Sequence, residues 1–99
     1  PSPYWNGKYA DDHIKYFFTK GLDFGNEDEE VRQLQKVLQK FRCFPYSQEA
    51  TGFFGKITLQ ALKAYQATRG IVTWGTPYTT GFGRLGPKTR AKLNKEQGF

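Results

Sequence analysis

The chain has 99 residues, which is the length of one domain, or of one domain with a terminal arm. With 37% apolar and 24% charged residues and no apolar run of spanning length, the composition excludes wholesale disorder and a transmembrane helix. The net charge of +6 is unevenly distributed: residues 31–99, the basic body, carry +10 (twelve bases, two acids), and residues 1–30 carry −4 (seven acids, three lysines). A body this basic favours a polyanionic partner such as nucleic acid, anionic lipid or a cell-wall polymer.

The first 21 residues are predicted to form an N-terminal arm. Residues 1–9 combine two prolines, a glycine and three aromatic residues, a composition typical of an extended segment. Asp11 or Asp12 can cap a short extra helix that runs to Lys20, where a glycine follows. We expect the remainder, residues 22–99, to be the domain, and residues 22–94 to fold without this arm.

Three longer helices are predicted within that domain. Asn26 and Glu29 have the spacing of a capping box, and four apolar residues then recur at helical spacing: Val31, Leu34, Leu38 and Phe41. A second helix is expected over residues 57–69, with these residues facing inward: Ile57, Ala61, Leu62 and Tyr65. Pro87 is expected at the first position of the last helix. The predicted fold is therefore all-α, a small three-helix bundle with two long loops.

The two loops, residues 43–55 and 70–83, are each followed by a helix that begins with the same sequence pattern. Each leads into a helix through an apolar residue, a glycine and, three residues later, a threonine: Phe54-Gly55-Lys56-Ile57-Thr58 and Leu85-Gly86-Pro87-Lys88-Thr89. The pattern indicates a duplicated loop-helix element. Gln35 and Gln66 lie beside the apolar faces, and we expect their amides to hold the loops because a buried amide must be hydrogen-bonded.

Residues 22–94 resemble the three-helix peptidoglycan-binding domain family, which is found on cell-wall hydrolases and phage lysins. The resemblance rests on the helix residues Val31, Leu34-Gln35, Leu38, Ala61-Leu62 and Tyr65-Gln66 and on the two loop-helix patterns with Leu93. It implies a non-catalytic module, without cofactor or metal, that binds the glycan strands and stem peptides of peptidoglycan. It also implies an extracellular location, in the cell wall or periplasm. Thr51-Gly52 stands where the family often has Asp-Gly, and the second loop is longer than the commonest form.

Five residues are candidates for ligand binding: Phe53, Arg69, Trp74, Tyr78 and Arg84. The aromatic residues offer flat apolar faces to sugar rings, and the second loop that carries two of them has no charged residue. The arginines can pair with carboxylates of stem peptides or muramic acid. Alternatively, the tryptophan covers the end of the bundle, Phe53 joins Phe54 in the core, and the arginines are solvated.

Catalytic and metal-binding chemistry are not expected. A single histidine and a single cysteine, Cys43, exclude an intramolecular disulfide and the usual zinc sites. Asp11, Asp12 and His13 are neighbours that point in different directions along a helix, without a nucleophile or third ligand. Helix capping is the preferred interpretation of the two acids, and Cys43 is interpreted as a small buried hydrophobic residue.

Two rival functions stay open. The first is a structural protein that assembles with other copies of itself through the arm, whose aromatic residues Tyr4, Trp5 and Tyr9 have no match in the family pattern. The second is nucleic-acid binding by the basic body. It ranks third because no helix-turn-helix or stacking-platform signature accompanies the charge.

Overall fold

A computed structural model describes residues 14–99 and contains three helices, α1 (Glu29–Lys40), α2 (Lys56–Thr68) and α3 (Pro87–Glu96). In this part of the chain the only β pairing consists of two isolated antiparallel bridges, Leu22 with Leu85 and Glu27 with Phe53. The predicted all-α three-helix architecture is therefore confirmed, and Pro87 opens α3 as expected. Within residues 14–99, no helix combines the length and apolar character that a membrane span requires.

The start of α1 differs from the capping-box prediction. Asp28, not Asn26, is the N-cap, and its Oδ1 accepts a hydrogen bond of 2.8 Å from the Glu30 amide. Asn26 instead accepts from the backbone N–H of Asp23 at 2.8 Å, which closes a turn before the helix. Asp28 is extended and donates its N–H to the carbonyl of Gly52, so the helix cannot begin earlier.

The core is formed by the apolar faces of the helices together with residues that precede each of them. Its fully buried side chains are Phe18, Leu22, Val31, Leu34, Val37, Leu38, Phe44, Phe54, Ala61, Leu62, Tyr65, Leu85 and Leu93. The prediction that Ile57 faces inward is wrong, because its side chain is exposed and Thr58 is buried in its place. The Thr58 hydroxyl accepts a hydrogen bond of 2.9 Å from Gln35, so this side of the first turn of α2 faces the core.

The predicted short helix is not present in its described part, residues 14–20, which are non-helical. Side-chain amides on the last turn of the bundle hold the backbone here. Asn94 accepts from the Phe18 N–H (2.8 Å) and donates to the Phe18 carbonyl (3.1 Å), and Gln97 does the same for Tyr16 (2.8 and 2.9 Å). Tyr16 and Phe18 are two residues apart and each uses both its backbone N–H and its carbonyl toward the end of α3, which is the pattern of an extended chain and not of a helix. Residues 11–13, where that helix was predicted to begin, lie outside the described residues.

The first loop, residues 41–55, is held by Gln35 as predicted. Its Oε1 accepts from the N–H of Gly52 at 2.9 Å, and its Nε2 donates to the Phe53 carbonyl and the Thr58 hydroxyl, both at 2.9 Å. One buried amide therefore fixes the loop and the first turn of the following helix.

The second loop, residues 69–86, is held in the same way by Gln66, thirty-one positions after Gln35. Its Oε1 accepts from the N–H of Gly83 at 2.7 Å, and its Nε2 donates to the Arg84 carbonyl (3.0 Å) and the Thr89 hydroxyl (3.1 Å). The shared sequence pattern thus corresponds to a shared structure, which we call the glutamine clamp. Gln97, a further thirty-one positions on, clamps Tyr16.

Candidate functional site

The three predicted aromatic ligand residues are accessible to solvent. Trp74 is 70% exposed, Tyr78 is 86% exposed and Phe53 is about half exposed, whereas Phe54 is fully buried. The alternative that Trp74 covers the end of the bundle does not fit a side chain this exposed. These rings contribute little to the core and are available for contacts with a partner.

The loop that carries Trp74 and Tyr78 has a defined internal structure. The carbonyl of Thr76 accepts from three consecutive backbone N–H groups, those of residues 79–81, each at 3.1 Å. The Thr80 hydroxyl donates to the carbonyl of Trp74. Gly75 has φ +95°, and a Cβ atom there would lie 2.3 Å from the Thr80 hydroxyl oxygen, so only glycine fits. The two aromatic side chains therefore project from a turn that is ordered by its own hydrogen bonds.

Phe53 and Arg84 occupy equivalent positions in the two loops. The backbone carbonyl of each is held by its glutamine clamp, while the side chain faces outward. The Arg84 side chain is 48% exposed, and its Nε lies 3.5 Å from a carboxylate oxygen of Asp23. The segment 22–27 pairs with both loops and so joins the two positions across one face of the bundle.

Arg69 lies elsewhere and its charge is already paired. Its guanidinium donates to both carboxylate oxygens of Glu96, at 3.1 and 2.7 Å, and lies 4.3 Å from the ring centroid of Tyr65. It follows the last residue of α2, whereas Phe53 precedes the first, and thirteen helical residues span about 20 Å. The structure therefore does not bring Arg69 together with Phe53 in one small site.

The Arg69 pair also shifts the ionisation of its neighbours. Hydrogen bonds from Arg69 lower the pKa of the Glu96 carboxyl. Burial, together with the hydrogen bond of 2.8 Å to Glu96, raises the pKa of the Tyr65 phenol, which stays a neutral donor. The three side chains join the C-terminal ends of α2 and α3, and we assign this cluster a structural role.

Glu96→Gln is expected to lower the free energy of unfolding by about 1 kcal/mol at pH 7, because the pair is partly exposed and screened. Since the folded-state pKa of Glu96 is depressed, its stabilisation is present above the unfolded value of about 4.3 and is lost as pH falls through the folded value. Urea unfolding at several pH values should therefore show a difference from the parent that shrinks below about pH 4. Glu49→Gln, at an exposed loop position, is the control; a difference independent of pH would contradict the assignment.

One aromatic pair at the surface was not predicted from the sequence. The rings of Phe17 and Phe99 are in edge-to-face contact, with centroids 5.2 Å apart, and each side chain is about half exposed. They are eighty-two positions apart in the chain, so no local pattern connects them. Only the docking of residues 14–19 on α3 brings them together.

The described residues contain no group of three His, Cys, Asp or Glu side chains that could hold a metal ion. The cluster Asp11, Asp12 and His13 lies outside this part of the chain. Cys43, predicted to be buried, is only half-buried, and this burial raises the pKa of its thiol, which favours the less reactive thiol form.

Three helices joined by two clamped loops place the chain in the class of small all-α modules. Within that class, the family model for a peptidoglycan binding domain matches residues 27–93, about two thirds of the chain. The chain therefore belongs to the peptidoglycan binding domain family, which implies an association with the cell wall. Neither the search of curated proteins nor that of solved structures gave a match.

Proposed function

We propose that this chain is a non-catalytic module that binds peptidoglycan outside the cytoplasm, in the cell wall or periplasm. The observation that carries the proposal is the exposure of Trp74 and Tyr78 on an ordered loop of a peptidoglycan-binding-family fold. Trp74, Tyr78 and Phe53 would contact sugar rings of the glycan strand, and Arg84 would pair with a carboxylate of a stem peptide. Arg69 is left out because its charge is committed to Glu96.

Two physical arguments support the aromatic loop as the contact surface. Aromatic side chains supply large apolar area with few rotatable bonds, so little conformational entropy is lost when they bind. The hydrogen bonds centred on Thr76 order the loop before a ligand arrives, which reduces the cost of binding further. A wall polymer repeats its units, so weak contacts of one module with one unit can still retain the protein through avidity.

Trp74→Ala is expected to weaken binding to purified sacculi several-fold at any salt concentration, since it removes an apolar contact. Arg84→Ala should weaken binding mainly at low salt, because an exposed charge contributes about 1 kcal/mol or less and is screened. Binding isotherms at two ionic strengths measure both effects. Tyr46→Ala, an exposed aromatic residue outside the second loop, and Lys88→Ala, an exposed cation on α3, are matched controls.

Retention of full binding by both variants, with helical circular dichroism unchanged, would contradict this assignment of the surface. In that case self-assembly, mediated by the N-terminal arm, becomes the leading alternative, and light scattering of concentrated protein tests it directly. Nucleic-acid binding stays third, as its only support is the net charge.

A further inference from the structure

A groove of about 470 Å³ runs along α3 where residues 14–19 lie against the helix. Its lining includes Phe17, Pro87, Arg90, Ala91, Lys95 and Phe99. The groove is shallow and largely open to solvent. Phe17 precedes the family match, and Lys95 and Phe99 follow it. The groove is therefore in large part an addition that this chain makes to the family domain.

One wall of the groove is an aromatic pair in a fixed position. Phe17 is 53% exposed and Phe99 is 50% exposed, and their rings meet at an interplanar angle of 77°. The Phe99 backbone N–H donates to the Asn94 carbonyl at 3.0 Å, and Phe17 lies between two residues whose backbones are clamped, Tyr16 and Phe18. The pair therefore presents a defined apolar surface.

The charge around this wall is of one sign. Arg90 and Lys95 line the groove, and the Nζ of Lys15 stands 4.7 Å from the ring centroid of Phe99. No Asp or Glu side chain from residues 14–99 lines it. The nearest acid along the helix, Glu96, is engaged by Arg69. Arg90 donates a hydrogen bond of 3.3 Å to the Leu85 carbonyl, but no ion pair within the described part of the chain engages it, so the groove is complementary to an anion that also carries apolar groups.

We propose that this groove binds the stem peptide of peptidoglycan, with alkyl side chains against the Phe17–Phe99 wall and carboxylates at Arg90 and Lys95. The inference rests on the proposed function and adds a second contact surface to it. The aromatic residues of the second loop would bind glycan, Arg84 would hold one carboxylate of the stem peptide, and the α3 groove would bind the remainder of that peptide. A basic, partly apolar groove fits a short acidic peptide with alanine methyl groups better than it fits a neutral sugar.

The test uses the full chain and a synthetic stem peptide, N-acetylated Ala–Glu–Lys–Ala with free carboxylates and hence a net negative charge, titrated by NMR. Binding should shift the signals of residues 17, 90, 95 and 99. The double variant Lys95→Gln/Phe99→Leu should raise Kd about tenfold, as expected for loss of one exposed charge contact and part of one aromatic contact. Lys92→Gln/Phe24→Leu removes another exposed lysine and a half-exposed phenylalanine outside the groove and should bind as the parent does.

A second experiment needs no variant: the same peptide with its carboxyl groups amidated should bind the parent about tenfold more weakly. Equal affinity for both peptides, or groove signals that do not shift, would overturn the inference. Parent protein that binds sacculi in a Trp74-dependent manner, with no peptide binding, would refute the groove alone. Failure to bind sacculi at all would refute the proposed function. A single-stranded oligonucleotide that binds this groove more tightly than the peptide would assign it to nucleic acid and overturn the proposal.

Discussion

Gln66→Leu is expected to lower the free energy of unfolding by about 3 kcal/mol. The amide of Gln66 satisfies the buried N–H of Gly83, the carbonyl of Arg84 and the hydroxyl of Thr89. Leucine fills the same space without these hydrogen bonds, and each buried polar group left without a partner costs about 1–3 kcal/mol. For a domain of this size the midpoint of thermal unfolding should fall by roughly 10–20 °C.

The matched control is Gln60→Leu, on the exposed face of the same helix. It should change the free energy of unfolding by less than about 0.5 kcal/mol. Chemical denaturation followed by circular dichroism measures both variants. An unfolding free energy of Gln66→Leu equal to that of the control would show that the clamp is dispensable and that water can replace it.

Phe18→Ala is expected to lower the free energy of unfolding by about 3–5 kcal/mol, the usual cost of removing a buried phenylalanine. The Phe18 side chain is 1% exposed and belongs to the central core, although it lies outside the family match. Phe17→Ala, one position away and half-exposed, should cost much less, about 1 kcal/mol or below. Because the two substitutions are chemically identical and adjacent in sequence, the difference between the variants reports the burial of the side chain.

The difference in unfolding free energy between Phe17→Ala and Phe18→Ala tests where the domain begins. The predicted boundary between residues 21 and 22 would leave Phe18 outside, and the structure places it in the core with two backbone hydrogen bonds to Asn94. We therefore expect residues 14–21 to be part of the folding unit. Equal stability of the Phe17→Ala and Phe18→Ala variants would support the original boundary instead.

The candidate site could be predicted from sequence only in part. An uncharged, glycine-rich loop with a tryptophan and a tyrosine indicates recognition, and Trp74 and Tyr78 are indeed exposed there. Arg69 and Arg84 look alike in sequence because each is an isolated cation beside a loop. Their difference is a tertiary effect: Glu96, twenty-seven positions away, binds Arg69 through two hydrogen bonds, whereas Asp23 approaches Arg84 only to 3.5 Å and leaves it about half exposed. Sequence reasoning cannot rank such cations, since their partners are distant in the chain.

The three helices and the start of α3 were determined by the sequence itself, because the interactions that specify them are local. Val31, Leu34 and Leu38 recur at helical spacing and are all buried, and Pro87 begins α3. The repeated glycine and threonine pattern likewise predicted two equivalent helix entries.

Only the tertiary structure decided the conformation of residues 14–18 and the groove beside them. Aromatic residues next to acidic caps and a following glycine favour a short helix locally. The amides of Asn94 and Gln97 offer hydrogen bonds in an extended register instead, and burial of Phe18 adds to that preference. Asn94 and Gln97 lie more than seventy positions away, so their hydrogen bonds to residues 16 and 18 form only once the bundle has formed. In the folded bundle these bonds stabilise the extended conformation by more than the small differences in local helix propensity.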